Sequence, residues 1–213
     1  TILKTIDGGI NWTTQTSGTT NGLEQVYFPV ANTGYAVGWF GTLLKTTDGG
    51  TTWTAQSSGI TTRLMSVYFT DAITGYTVGA FGVILKTIDG SSWVSKTSGT
   101  SNHLFSVYFS NVNTGYAVGN IGTILKTTDG GDSWALQVSG TTNALLSVYF
   151  INTSTGYSVG SAGTILKTID GGNNWTTQAS GTTNDLRSVH FSGANTGFAV
   201  GDNGTIINTI DGG

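Results

Sequence analysis

The stretch LMSVYFTDAITGYTVGAFGVILKTIDGSSW, residues 64–93, holds the pattern that decides the fold. It begins with a run of aromatic and β-branched residues. Similar short runs follow at 74–79 and 83–87, and glycines lie within and between them. Such runs, bounded by turn residues, predict short β-strands. An Asp-Gly turn then leads to Trp93 and a fourth run. We name the four predicted strands A, B, C and D in chain order and expect tight turns to join them into an antiparallel meander.

This unit recurs along the 213 residues. Its Asp-Gly dipeptides and its tryptophans return every 40 or 41 residues, a period that is typical of propeller blades. Several strands are apolar on both alternating faces, so each sheet is expected to lie between two neighbours. The sequence therefore predicts an all-β fold, a five-bladed β-propeller of four-stranded antiparallel blades, in a single domain over residues 1–213.

The two ends of the sequence predict how the ring closes. The sequence opens on strands C and D of one unit and finishes on strands A and B of another, followed by residues 205–213, which duplicate residues 1–9. We expect the N- and C-terminal strands to share one blade, because closure leaves no unpaired sheet edge. Glu24 and Arg187 would then be neighbours and form an ion pair. The duplicate indicates a segment of a longer repeat array or a tail that pairs elsewhere.

Composition limits the classes of function. Eight Lys and Arg residues and a net charge of −3 provide no electrostatic footprint for nucleic acid. The absence of cysteine excludes a disulfide framework, a thiolate metal site and a cysteine nucleophile. No apolar run approaches the roughly 20 residues of a membrane span. The composition, rich in Thr, Asn and Gly, favours an extracytoplasmic protein that is secreted, periplasmic or on the cell surface.

The turn between strands C and D reads TTDGGTTW at residues 46–53 and matches the S/T-x-D-x-G-x-T-W pattern of the Asp box, or BNR repeat. An Asp in a tight turn accepts hydrogen bonds from nearby backbone N–H groups, and glycine supplies the unusual backbone angles. One carboxylate per turn cannot supply the roughly six to eight oxygens that calcium takes. We therefore predict no metal and a structural role for the Asp-box residues Asp7, Asp48, Asp89, Asp129, Asp170, Trp12, Trp53, Trp93, Trp134 and Trp175.

The longer unit, L-x-S-V-Y-F…T-G-Y-x-V-G-x-x-G-T-I-L-K-T-T-D-G-G-x-x-W, resembles the photosystem II stability/assembly factor-like proteins and their secreted bacterial relatives. The resemblance covers essentially the whole chain. It implies a propeller that binds other proteins and has no catalysis of its own. Photosynthetic members usually have seven blades and an arginine patch, whereas this sequence has only Arg63 and Arg187.

The sequence offers little material for catalysis. Two arginines on different blades cannot form the arginine triad of a sialidase. Glycoside hydrolysis needs two placed carboxylates, and Glu24 is the only Glu, with Asp185 as a candidate partner. No Ser-His-Asp arrangement and no histidine metal spacing is present. We predict no enzymatic activity and no cofactor, and keep a degenerate glycosidase as a third hypothesis.

Differences between the units concentrate in the B–C and D-to-A connections, which a meander places on one face. Exposed aromatics and unusual charges on one face often mark a binding surface, although drift at unconstrained positions would produce the same variation. We predict a protein-binding or assembly scaffold, and as an alternative a carbohydrate-binding module in which tryptophan stacks on a sugar ring. The predicted binding residues are Trp39, Phe40, Arg63, Met65, Phe81, His103, Phe105, Asp185, Arg187 and Glu24.

Overall fold

A computed structural model describes all 213 residues as six antiparallel sheets joined by turns. Four sheets have four strands, one has three and one has two, and within each sheet the strands follow chain order. The predicted four-stranded meander is therefore confirmed. No helix in the structure has the length and apolar character needed to cross a membrane.

The strands form an N-terminal hairpin, four blades and a C-terminal sheet. The N-terminal hairpin contains β1 (Ile2–Lys4) and β2 (Thr13–Gln15). Blade 1 contains β3 (Leu23–Val30), β4 (Thr33–Gly38), β5 (Leu43–Thr46) and β6 (Thr54–Ala55). Blade 2 contains β7 (Leu64–Phe69), β8 (Gly75–Gly79), β9 (Ile84–Thr87) and β10 (Val94–Lys96). Blade 3 contains β11 (Leu104–Phe109), β12 (Gly115–Gly119), β13 (Ile124–Thr127) and β14 (Ala135–Gln137). Blade 4 contains β15 (Leu145–Phe150), β16 (Gly156–Gly160), β17 (Ile165–Thr168) and β18 (Thr176–Gln178). The C-terminal sheet contains β19 (Leu186–Phe191), β20 (Gly197–Gly201) and β21 (Ile206–Thr209). Four B–C turns are short 3-10 helices, at Trp39–Gly41, Ala80–Gly82, Ser161–Gly163 and Asp202–Gly204.

The chain divides into two compact units. Unit 1 comprises residues 1–79 and 84–95, which hold the N-terminal hairpin, blade 1 and most of blade 2. Unit 2 comprises residues 80–83 and 96–213, which hold the B–C turn of blade 2, blades 3 and 4 and the C-terminal sheet.

In unit 1, blades 1 and 2 pack face to face through aromatic rings and side-chain hydrogen bonds. The Tyr35 ring stacks on Phe69 with centroids 4.1 Å apart, and its hydroxyl donates to the carbonyl of Gly90 at 3.0 Å. The backbone N–H of Val67 donates to the Gln25 side chain at 2.7 Å. Buried tyrosine hydroxyls with partners let the rings add apolar contact without an unpaired polar group.

Unit 2 repeats this packing. The Tyr116 ring stacks on Phe150 at 4.0 Å, its hydroxyl donates to the Gly171 carbonyl at 2.7 Å, and Tyr157 stacks on Phe191 at 4.2 Å. Every residue of the second strands β12 and β16 is buried. The prediction that the sheets are covered on both faces is confirmed for these strands.

The predicted shared blade is wrong. Strand β1 pairs with β2 in a sheet of their own, while β21 pairs with β20 and places Asn208 opposite Phe198. Residues 205–213 thus take the strand C position that the closure scheme gave to residues 1–9, and there are six sheets instead of five. The reason is chain connectivity, because closing a short turn costs less entropy than recruiting a strand from the other end of the chain.

The predicted ion pair between Glu24 and Arg187 is also wrong. Glu24 pairs with Arg63, at 2.8 Å between Oε1 and Nη2. Arg187 pairs instead with Asp202 of its own sheet. Each member of the predicted pair thus has a different partner: Glu24 of β3 binds Arg63, and Arg187 binds Asp202 of the B–C turn.

Candidate functional site

The Asp-box carboxylates are engaged within their own turns. In blade 1, Asp48 Oδ1 accepts hydrogen bonds from the Thr52 N–H at 2.9 Å and from the Thr46 hydroxyl at 2.8 Å. The hydrogen bonds from Thr52 and Thr46 lower the pKa of Asp48 from its usual 3.8 to about 2. Bonds from the equivalent asparagines lower the pKa of Asp7 and Asp170 to about 2 as well. A carboxylate stabilised in this way fixes the turn.

Bonds from serine likewise lower the pKa of the remaining Asp-box carboxyls, those of Asp89 and Asp129. Nowhere do three or more His, Cys, Asp or Glu side chains come together as metal ligands. The tryptophan of each complete blade packs edge-on against a phenylalanine at or near the end of strand A, as Trp53 does on Phe28 at 5.9 Å and Trp175 on Phe150 at 6.0 Å.

The B–C turns share an unusual backbone. In each turn the middle residue has a φ between 53° and 58°, and the glycine after it also has a positive φ. Two successive left-handed residues define a type I′ turn, for which Asn-Gly is the preferred pair. Asn203-Gly204 is the one turn here with that pair; the middle residues of the five turns are Phe40, Phe81, Ile121, Ala162 and Asn203.

Three of these middle residues are large, apolar and exposed. Phe40, Phe81 and Ile121 have 68%, 66% and 65% of their surface in solvent. A left-handed conformation costs a residue other than glycine roughly 1–2 kcal/mol. Because these side chains are exposed, little free energy of apolar burial offsets that cost. Strained residues that the fold does not require are characteristic of functional sites.

The D-to-A connections are hydrogen-bonded to these turns. The first residue of the turn donates its N–H to the carbonyl of the residue that precedes strand A, as Trp39 does to Gly22, Asn120 to His103 and Asp202 to Asp185, each at 2.9 Å. A side chain at the start of strand A therefore lies beside the turn. We call the B–C turns and the starts of strand A together the rim.

In unit 1 the rim carries the Trp39 cluster, which consists of Trp39, Phe40, Glu24 and Arg63. The Trp39 indole N–H donates to the Glu24 carboxylate, and the same oxygen accepts from Arg63 Nε at 2.9 Å. The Arg63 guanidinium lies 4.8 Å from the centre of the Trp39 ring, within the range of a cation–π contact. A Cβ at Gly22 would stand 3.0 Å from the indole, so glycine leaves room for it. The charges cancel inside the cluster, and aromatic surface faces solvent.

In unit 2, side chains at the start of strand A cap the turn of the preceding blade. His103 Nδ1 accepts the N–H of Phe81 at 3.0 Å, and the two rings lie 5.0 Å apart. Asp185 Oδ1 accepts the N–H of Ala162 at 2.9 Å in the same way. The rim backbone is thus held rigid while the residue at the tip projects outward.

One family comparison decides where this chain belongs. The family described as photosynthesis system II assembly factor YCF48 matches residues 8–98 and 135–213, well over half of the chain. The chain belongs to this family. The resemblance predicted from the repeat is therefore confirmed, and the matched residues include the Trp39 cluster and the Arg187–Asp202 pair.

Solved structures of other proteins share the fold of this YCF48-family chain. YCF48 from Cyanidioschyzon merolae is 19% identical, with a TM-score of 0.78, and the match covers 98% of this chain and 76% of that one. YCF48 bound to D1 peptide is 17% identical, with a TM-score of 0.50, covering 90% and 92%. A GH74 enzyme from Niastella koreensis is 18% identical, with a TM-score of 0.71, covering 90% and 37%. At these identities the likeness shows the fold alone. No curated protein sequence matches the chain.

Several of the predicted rim residues lie on β-bulges of this YCF48-family chain. The pairing of strands A and B shifts register at Glu24, Met65, Phe105 and Arg187. A bulge residue has no single partner opposite it and re-aims its side chain. Met65 and Phe105 are half-buried there, while Glu24 and Arg187 are exposed. This explains why the residue at this position differs from one repeat to the next without disturbing the sheet.

Sequence reasoning missed two members of the rim. Ile121 was not among the predicted binding residues, although it occupies the same left-handed position as Phe40 and Phe81. Asp202 was also missed, although its carboxylate binds the Arg187 guanidinium, with Oδ2 to Nη2 at 2.8 Å. The Asn203-Gly204 pair was the available signal, because it identifies the B–C connection as a type I′ turn.

Proposed function

We propose that the protein is a non-enzymatic binding scaffold whose rim takes a polypeptide segment of a partner protein. The observation that carries the proposal is that each unit holds an exposed apolar residue in a left-handed turn, Phe40 in unit 1 and Phe81 and Ile121 in unit 2. Apolar side chains on a rigid backbone suit binding, because little conformational entropy is lost when a partner covers them.

Family membership supports a polypeptide ligand. One solved YCF48 is described as bound to a D1 peptide, and this chain belongs to the same family. The chemistry of this rim favours an apolar or aromatic segment, since Arg63 is neutralised by Glu24 and Arg187 by Asp202. We place the protein outside the cytoplasm as part of the same proposal, on its composition.

The carbohydrate-binding alternative has no support from the family. The geometry of Trp39 does not favour it either, because its indole N–H is bound to Glu24 and Arg63 lies over its ring. The carboxylates considered for a glycosidase are also engaged, Glu24 with Arg63 and Asp185 with the N–H of Ala162. The fold that the chain shares with a GH74 enzyme does not by itself imply an activity.

A displayed library of random peptides, selected against the immobilised protein, tests the proposal. The Kd of enriched peptides is then measured on the wild type and on Phe40→Asn, Phe81→Asn and the matched control Ala162→Asn. Burial of one phenylalanine contributes about 1.5–3 kcal/mol, so we expect binding at least about tenfold weaker in one or both Phe variants and unchanged in the control.

Peptides that bind all four proteins equally would overturn the assignment of the rim. If no peptide is enriched and the wild-type protein binds a sugar on a glycan array run in parallel, the proposal of a polypeptide ligand is wrong.

A further inference from the structure

The turn of Phe81 is capped by a histidine, whereas the comparable turn of Ala162 is capped by an aspartate. In unit 2, His103 Nδ1 accepts the N–H of Phe81 at 3.0 Å, and Asp185 Oδ1 accepts the N–H of Ala162 at 2.9 Å. Both N–H groups belong to the middle residue of a left-handed turn, with φ of 58° for Phe81 and 53° for Ala162. The two caps therefore occupy equivalent positions and differ in their chemistry.

The two acceptors respond differently to a proton. A neutral imidazole has one ring nitrogen that accepts and one that donates, whereas both nitrogens of an imidazolium donate. Because Nδ1 of His103 accepts the Phe81 N–H, a proton added to this nitrogen would point at the proton of the amide. A carboxyl group, in contrast, keeps an acceptor oxygen in either protonation state. Histidine changes its charge between about pH 5 and pH 8, so of the two caps only the imidazole stops accepting within this range.

Within unit 2, the segments that pack around His103 carry no acidic or basic side chain of their own. These segments are the turn Ala80–Gly82, strands β11 and β12, and the turn of residues 120–122. Their titratable groups are the hydroxyls of Tyr108 and Tyr116, which both donate to backbone carbonyls. The charged residue nearest to His103 along the chain is Lys96, which pairs with Asp132 at 2.8 Å. The acceptor at Phe81 is therefore controlled by the imidazole itself.

The cap matters because the turn that it holds is strained. Phe81 has a left-handed φ that a bulky side chain does not favour, and its ring is 66% exposed. The His103 ring lies 5.0 Å from the Phe81 ring, so the histidine contacts both the backbone and the side chain of the tip. Once the N–H loses its acceptor, the turn can leave the left-handed region and the phenylalanine loses its fixed position. A partner must then order the side chain on binding, which lowers the affinity.

We propose that His103 is a pH-sensitive cap that makes binding at Phe81 depend on pH. The neutral imidazole accepts the Phe81 N–H and holds the side chain in place. As the pH falls through the range in which histidine gains a proton, the imidazolium releases the turn. Binding at Phe81 therefore weakens towards acid pH. The inference rests on the proposed function of the rim, and it adds a condition under which a bound segment is released.

Exchange of individual backbone amides with solvent, measured by NMR on the wild-type protein without a ligand, tests the cap. The rates are corrected for the intrinsic dependence of amide exchange on pH. We expect the protection of the Phe81 amide to fall several-fold between about pH 7.5 and about pH 5.5, because its hydrogen bond is lost. The Ala162 amide is the control in the same protein, and its protection should stay constant because Asp185 remains an acceptor. Protection of Phe81 that stays constant, or falls no more than that of Ala162, overturns the proposal.

His103→Asp is the matched variant, because it gives the turn of Phe81 the cap that the turn of Ala162 has. A histidine-free peptide from the displayed library that needs Phe81 should bind the wild type several-fold more weakly at about pH 5.5 than at about pH 7.5. The variant should bind it equally at both. No loss in the wild type, or an equal loss in the variant, would refute the switch. The amide measurement uses no peptide, so its failure concerns the cap alone, whereas the lack of any peptide that needs Phe81 would be a failure of the proposed function.

Discussion

At the residue scale, most turns of the rim carry a side chain that their left-handed backbone conformation does not favour. The turn geometry favours Asn-Gly, which only the last turn has, at Asn203-Gly204. Phe40, Phe81 and Ile121 occupy the same conformation with bulky side chains. Strained, exposed apolar residues lower the stability of the fold. Residues that serve a function often carry such a cost in stability.

This relation gives a prediction about stability. Phe81→Asn should raise the free energy of unfolding by roughly 1 kcal/mol, because asparagine adopts the left-handed region more readily than phenylalanine. The reciprocal change, Asn203→Phe, should lower it by a similar amount. Denaturant titration of both variants measures the effect, and a destabilised Phe81→Asn protein would show that the phenylalanine stabilises the fold after all.

At the element scale, each blade depends on glycines that let strands A and B meet beneath the rim. A Cβ on Gly119 would stand 1.9 Å from the carbonyl oxygen of His103, which is the atom that accepts the N–H of Asn120. This contact is with backbone, so no rotamer change relieves it. The position of His103, and with it the cap on the turn of Phe81, depends on that close approach.

Gly119→Ala should therefore destabilise the protein by at least roughly 1–3 kcal/mol. Gly193→Ala is the control, because no heavy atom lies within 4 Å of its Cβ, and its effect should stay within about 0.5 kcal/mol. Thermal unfolding of the two variants tests this, and equal melting temperatures would contradict the close packing described here.

The Asp box predicts how the blades respond to acid. The folded pKa of Asp7, Asp48 and Asp170 is about 2, below the usual 3.8. A group whose pKa is depressed on folding stabilises the protein above its unfolded pKa, and that contribution is lost as the pH falls through the folded value. The melting temperature should therefore fall between about pH 4 and pH 2, and fall less steeply in Asp48→Asn. A melting temperature of the wild type that is unchanged between pH 5 and pH 2 would contradict this role.

The four strands of each blade could be predicted from the sequence, whereas the β-bulges and the type of the B–C turns could not. The repeat fixed four strands per unit because apolar runs, glycines and the Asp-Gly turn recur in register. The β-bulges at Glu24, Met65 and Phe105 leave no mark in the alternation of residue types. The type I′ turns were hidden because four of the five lack asparagine at the middle position, so their strain could be seen only in the backbone angles.

At the scale of the whole molecule, the sequence could not decide which segment completes the C-terminal sheet. Residues 1–9 and 205–213 differ only at Leu3 and Lys4, which correspond to Ile207 and Asn208, so both fit the strand C position. Connectivity favours the local segment in a single chain. The rim, in contrast, is formed within each blade and its neighbour, through contacts such as those of Arg63 with Glu24 and of His103 with the turn of Phe81.

The most direct test of the rim as the binding surface is hydrogen–deuterium exchange of the wild-type protein with and without a peptide enriched from the displayed library. We predict added protection in the B–C turns and the starts of strand A, centred on residues 39–41 or 80–82 and on the residues that cap them. Protection confined to the Asp-box turns and the A–B loops, with the rim unchanged, would contradict the proposed function.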